Sequence, residues 1–400
     1  MAFGARALIP PLGLVIAALA TYHAASEIGL PQPELGIPVP ASMGARALAL
    51  SVDRGFRTEM SQNGPQDLAQ LPPLSEPLMA MAQTSYSVDP LEVATIRTLA
   101  LGSVLHENKD HARRLMHLAA EISKRDVVLN MWLAQDYGRD GEAALMVAAF
   151  DHALRTSSRA RAFAMKPLVE NLADPNSHRP IGELLRQQPE WERDFWNEFV
   201  GNPVALRNAA AFFAGSKLSY DVLPPYARVR LYANLKQAKL FDTLFRLAEL
   251  DSNIGADLKR LAEGRLVDAG KGNPLGWTTH SRGTHASRIH GATGELQIDA
   301  RAGSFGLVAD RIVQVGETSA ASLTMAEPVP EHVELELTVR CVEGSNRELG
   351  ALTLRPGETA REVVLQTAGC RYASLAVSFV ADTDHANDLI RVANVRLHSI

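Results

Sequence analysis

The strongest constraint on the fold is an internal register of 34 residues within positions 88–155. Leu99, Ala100, Ala112, Met116 and Ala119 return 34 positions later as Leu133, Ala134, Met146, Phe150 and Ala153. Large apolar residues fall on large ones and small mostly on small, the signature of stacked helical hairpins. The alanines let two helices approach to about 8 Å, and Met116 or Phe150 fills the space toward the next unit. One hairpin cannot bury its apolar face alone, so about three or more must stack into a solenoid. The simpler alternative is a pair of amphipathic hairpins inside a globular helical domain.

The pattern resembles the tetratricopeptide repeat. Leu99-Ala100 and Leu133-Ala134 stand at its paired large-small positions, Tyr137 at its aromatic position, and Ala119 and Ala153 at its second-helix alanine. The sequence departs from the motif where Met146 replaces a small residue, Ser103 an aromatic and Lys124 the closing proline. The resemblance implies that the first helices of successive hairpins line a concave face. In this register Arg97 matches Met131, Leu101 matches Gln135 and Leu105 matches Arg139. Arg97, Leu101, Met131, Gln135 and Arg139 are therefore the candidate surface for a protein partner, suited to an extended peptide carrying an acidic group. The competing reading is that the two arginines are solvated or paired with neighbouring acids.

Helical spacing extends over residues 44–271. Segments 43–50 and 73–85 are apolar at helical intervals, and Arg161–Leu172 reads as a helix stopped at Asp174-Pro175. Pro167 predicts a kink or restart inside it. Trp191, Phe195 and Phe199 recur every four residues and are expected on one helix face. Further helices read at 203–214, 226–236 and 238–250. Phe212, Tyr226, Tyr232, Phe241 and Phe245 continue an aromatic enrichment that reads as core rather than as a ligand groove.

Residues 1–43 differ in kind. Arg6 precedes an apolar run through Ala25, and the charge-then-apolar order matches an export signal oriented positive-inside. The run is close to the roughly 20 residues needed to span a bilayer, which favours an uncleaved anchor at 1–25. Ala18-Leu19-Ala20 keeps open a cleaved signal. A proline-rich stretch, Pro31 to Pro40, makes 26–43 a semi-rigid linker. Both readings place the body in the periplasm. The net charge of −5 argues against a nucleic-acid partner.

After the breaker cluster Gly270-Lys271-Gly272-Asn273-Pro274, period-two alternation replaces helical spacing. Val333, Leu335, Leu337, Val339 and Cys341 alternate with polar residues, as do Leu375, Val377 and Phe379 with Ala376 and Ser378. Strands also read at 294–300, 305–314, 320–325, 350–354, 361–366 and 388–398. They predict a jelly-roll-like antiparallel β-sandwich over 272–400. With export favouring oxidation, Cys341 at the end of one strand and Cys370 just before another predict a disulfide.

The whole arrangement resembles a family of alphaproteobacterial envelope proteins with an N-terminal hydrophobic segment, tetratricopeptide-like helices and a small β-sandwich. The matching residues are Ser123-Lys124-Arg125-Asp126 with Trp132-Leu133, Asp174-Pro175, Pro274-Leu275-Gly276-Trp277 and the Cys341/Cys370 pair. Members are found near exopolysaccharide functions, and the likeness implies no catalytic activity.

The sequence lacks a nucleophile elbow, a zincin helix, a phosphate-binding loop and Cys-x-x-Cys. His280, His285 and His290 recur every five residues, but on a strand that spacing alternates faces, so a metal site needs a turn at Gly283. Asp382, Asp384, Asn387 and Asp388 offer an oxygen-rich loop for calcium or, more simply, turn chemistry. Sugar binding calls for exposed aromatic platforms. Phe305 begins a strand, Phe379 points inward and Trp277 sits at the domain junction, which leaves Tyr372 as the exposed candidate. The expected function is a non-enzymatic, membrane-anchored periplasmic scaffold, without cofactor, that binds a protein partner through its repeats. The alternative is an envelope glycan-binding protein acting through the sandwich.

Overall fold

The computed structural model describes residues 44–62, 74–105, 108–156, 158–344, 346–383 and 388–399. The expected membrane segment and proline-rich linker lie outside them, as do Asp384 and Asn387 of the expected calcium loop. Among the described residues no helix is long and apolar enough to cross a membrane.

The architecture is helical first and β afterwards. The opening helices are α1 (Ala45–Gln62), α2 (Glu76–Val88), α3 (Val93–Leu105), α4 (Lys109–Ile122), α5 (Val127–Arg139), α6 (Ala143–Thr156) and α7 (Ser158–Glu170). Helices α3 and α5 begin and end 34 residues apart, and so do α4 and α6. The register is visible in the packing. Ala100 and Ala134, Met116 and Phe150, and Ala119 and Ala153 are all buried. Local chemistry sets the starts. The Asn108 side chain accepts from the His111 amide, and Asp126 accepts from the Leu129 amide at 2.9 Å, each meeting a donor that the first helical turn leaves unpaired. Helix α7 runs through Pro167 without a restart.

Six helices follow: α8 (Pro175–Leu185), α9 (Glu192–Phe199), α10 (Pro203–Ser216), α11 (Pro225–Gln237), α12 (Phe241–Leu250) and α13 (Gly255–Ala262). Most of the aromatic enrichment is core, with Tyr226 exposed and Phe245 half-buried. Phe195, Trp196, Phe199, Phe212 and Phe213 are buried and touch one another ring to ring. Trp191 departs from the expected stripe. It precedes α9, belongs to the first compact unit, and its indole donates to Asp151 at 2.8 Å.

The chain forms two compact units. One holds the described residues up to Leu168 with Pro189–Trp191, and the other holds Val169–Gln188 and everything after Trp191. The second unit therefore contains α8–α13 together with the strands, although the change from helix to strand falls near residue 272.

The strands are β1 (Thr278–Thr279), β2 (His285–Ile289), β3 (Leu296–Ala300), β4 (Phe305–Gln314), β5 (Ser319–Met325), β6 (Val333–Cys341), β7 (Glu348–Leu354), β8 (Ala360–Val364), β9 (Tyr372–Ala381) and β10 (Asp388–Ser399). They make two five-stranded antiparallel sheets, ordered β1-β4-β9-β6-β7 and β2-β3-β10-β5-β8. The alternating residues do what their period predicts. Val333, Leu335, Leu337 and Val339 of β6 and Leu375, Val377 and Phe379 of β9 are buried in the sandwich core. β10 is bulged between Val392 and Asn394, beyond which its pairing with β3 has ended. There the Val395 amide donates instead to Gly264 O at 3.1 Å, tying the end of α13 to the sheet.

Candidate functional site

The expected concave face is not open where the register placed it. Arg97 is only 3% exposed. Its guanidinium donates to Asp53 at 2.7 Å, bridges to Asp126, and lies 4.7 Å from the centre of the Phe56 ring. Leu101 is buried as well, Met131 and Gln135 are half-buried, and Arg139 is exposed. The reason is α1, whose Asp53 and Phe56 pack across α3 and occupy the surface that a bare repeat would present. Arg97 thus works as a tie between α1 and the start of α5, as the neighbouring-acid reading anticipated. Burial alone would raise the Asp53 carboxyl. The hydrogen bond and charge of Arg97, joined by those of Arg57, outweigh it and hold Asp53 below the ordinary carboxylate range.

The same tie builds one wall of a cleft of about 500 Å³, bounded by α1, the turn before α3 and the end of α4. Three large apolar side chains stand exposed in it: Leu50, Leu91 and Ile122. Leu91 is 63% exposed because the chain turns at Asp89, whose carboxylate accepts from the Leu91 amide at 3.0 Å. Arg46, Arg57 and Arg125 line the same cleft and are exposed. Arg57 pairs with Asp53 at 2.7 Å, whereas Arg46 and Arg125 make no ion pair among the described residues. Sequence reasoning missed this cleft, since its parts lie on elements outside the 34-residue register. The one local signal was Asp89-Pro90-Leu91, a turn that presents a leucine.

In the sandwich, Tyr372 is buried rather than exposed. Its ring sits 5.8 and 5.3 Å from those of Phe241 and Phe245, and its hydroxyl donates to Asp242 at 3.1 Å. Burial first, and the Asp242 charge second, push its phenol above the ordinary value. Tyr372 therefore fastens α12 to β9 and offers no platform. The exposed aromatic is Phe305, 70% accessible and opposite the exposed Val380 in the β4–β9 ladder. Trp277 is fully buried.

The three histidines do not converge. His280 bonds to Asp310, His285 is buried against Phe379 with ring centres 5.2 Å apart, and His290 is exposed beside Thr293. Of the expected calcium ligands within the described residues, Asp382 accepts from the Thr383 hydroxyl at 3.3 Å and Asp388 is engaged by His332. Cys341 and Cys370 form the expected disulfide, with Cα atoms 5.9 Å apart.

Neither a family model nor a curated protein matches the sequence. Among solved structures, the chain is similar to TmCBM61 in complex with beta-1,4-galactotriose. The identity is 9%, the TM-score 0.25, and the match covers 34% of this chain and 92% of that one. A structure described as CBM4 matches at 11% identity and TM-score 0.23, covering 33% of this chain and 92% of that one. A Glycosylation Associate Protein (Gap123) complex from Streptococcus agalactiae matches at 6% identity and TM-score 0.23, covering 37% and 28% respectively. At these TM-scores the likenesses assign no function to the chain.

Proposed function

We propose that the chain is an exported, non-enzymatic scaffold, held at the inner membrane with its body in the periplasm, that captures an acidic, extended segment of a protein partner in the first unit. The observation that carries this reading is the cleft in which exposed Leu50, Leu91 and Ile122 are flanked by Arg46 and Arg125. Apolar anchors with guanidinium groups beside them suit a peptide that brings both apolar side chains and carboxylates, Asp53 and Asp126 of the lining being held by Arg97. Export is supported by the Arg6-led apolar run and by the Cys341–Cys370 disulfide, a bond that persists in oxidising compartments. The resemblance to exopolysaccharide-associated envelope proteins supplies the context of polysaccharide production or export.

Crosslinking of the full chain in native membranes tests this reading. Leu91→Glu combined with Arg125→Glu should fold normally by circular dichroism and lose the crosslinked partner. A folded double variant that retains every partner sinks the cleft as the docking site. A second reading, glycan binding through the sandwich, is favoured by the exposed Phe305 beside Val380. It requires that Phe305→Ala abolish retention of the protein on a polysaccharide affinity gel.

A further inference from the structure

Arg311 occupies an unusual place in the sandwich. Along β4, Ala309 and Val313 are buried and face the core, and strand alternation puts Arg311 on that same inward side. Its partner across the ladder, Leu375, is buried. A charge at such a position needs an opposite charge or an acceptor, because removing it from water is costly. Arg311 is half-buried, and among the described residues it has neither. Its Nε is buried without a hydrogen-bond partner, and it makes no ion pair. Its guanidinium carbon lies 5.7 Å from the centre of the Trp277 ring. The Trp277 indole N–H is also buried without an acceptor. Two neighbouring donors therefore lack what a donor requires.

Arg311 lines a cavity of about 290 Å³ between α12, α13 and the mouth of the two sheets, all within the second unit. The rest of the wall is largely apolar, including Phe245, Leu258, Leu261, Leu375, Val395 and Leu397. Glu249, an exposed residue, and Gln314 are its other polar members, and neither bonds to Arg311. The volume is at the lower end of small-molecule sites, roughly 300–1,000 Å³, and the composition fits one too: a largely apolar wall in which Arg311 is the one cation. Burial pushes Arg311 down to about 10, and no acid offsets the shift.

We infer that this cavity binds a small carboxylate with an apolar body, the carboxylate paired with the Arg311 guanidinium and the body lying against the leucines and Phe245. A guanidinium matches a carboxylate in shape as well as charge, so the pair is specific and not merely attractive. The inference is independent of the reading given to the first-unit cleft.

Titration calorimetry on the full chain at pH 7 tests it, with octanoate, 1-octanol and acetate as probes. Octanoate should bind saturably with one site, 1-octanol at least tenfold more weakly, and acetate not measurably. Arg311→Met should reduce octanoate to the level of octanol and leave octanol unchanged. Equal binding of octanoate and octanol by the wild type, no saturable binding of octanoate, or full octanoate affinity in folded Arg311→Met would each overturn the inference. Should Arg311→Met fail to fold, Leu258→Trp serves instead. It fills the cavity from a half-buried wall position and should abolish octanoate binding without lowering Tm, and retained binding in it also overturns the inference.

Discussion

Arg97 shows how much one side chain can hold in a helical stack. Its guanidinium joins Asp53 of α1 to Asp126, the residue that caps α5, while its plane covers Phe56. Arg97→Met keeps most of the stem volume but leaves Asp126 without a cation and Asp53 with only the exposed Arg57. The expected loss is about 3 kcal/mol, the low end for breaking a buried pair, because both carboxylates keep some contact with water. Arg139→Ala, at an exposed position, should stay within about 0.5 kcal/mol. Denaturant melts of the two variants make the comparison, and equal effects would deny Arg97 its bridging role. The Asp53 carboxyl adds a pH dependence with a definite sign. Its folded pKa lies below the ordinary 3.8, so its contribution is complete above that value and is lost as pH falls through the depressed one. Between neutral pH and pH 3 the wild type should lose more stability than Asp53→Asn, and parallel acid profiles would refute the assignment.

At the scale of elements, the bulge of β10 and the end of α13 depend on Gly264. This residue has φ of +88°, and a Cβ placed on it would come within 2.0 Å of Asn394 Oδ1. Gly264→Ala combines the cost of a left-handed non-glycine residue with displacement of Asn394, about 2 kcal/mol together. In an Asn394→Ala background the steric part disappears, and the substitution should cost about 1 kcal/mol. A full additive cost in the double variant would show that the two residues are not coupled. The contrast between α3–α6 and the elements around this junction explains what the sequence reveals. The helices α3–α6 declare themselves through the 34-residue register, and the strands β6 and β9 through apolar residues buried at every second position. β1 and β2 stay hidden, one being two residues long and the other, His-Ala-Ser-Arg-Ile, burying a histidine and a serine in place of apolar side chains. α8 begins Pro-Asn-Ser-His and α13 begins at a glycine, both of which read as turns. Arg97 read as a groove residue and Tyr372 as a platform because period and composition cannot tell which element will lie on top. α1 covers the first and α12 the second. Arg311 escaped notice for a related reason, since an inward arginine is legible only once the strand's face is known.

The two compact units carry different chemistry, and that difference is measurable in the whole molecule. The first is held by apolar helix packing and the Asp53–Arg97–Asp126 bridge. The second contains the disulfide, which joins β6 to the residues just before β9 across a sequence separation of 29. In the chain-entropy account a loop of that size restricts the unfolded chain by about 3–4 kcal/mol. For a unit of this size that corresponds to a fall of roughly 10 °C in Tm on reduction. Each perturbation should therefore register in the unit that contains it. Scanning calorimetry of the full chain is expected to resolve two transitions. Reductant at pH 7 should lower the one that carries loss of strand signal in circular dichroism. Arg97→Met should lower the other, and a combination of both treatments should give the sum of the two shifts, as independent sites do. If reduction and Arg97→Met instead move a single shared transition by overlapping amounts, the chain unfolds as one cooperative body and the disulfide stabilises α3–α6 as much as it stabilises the sandwich.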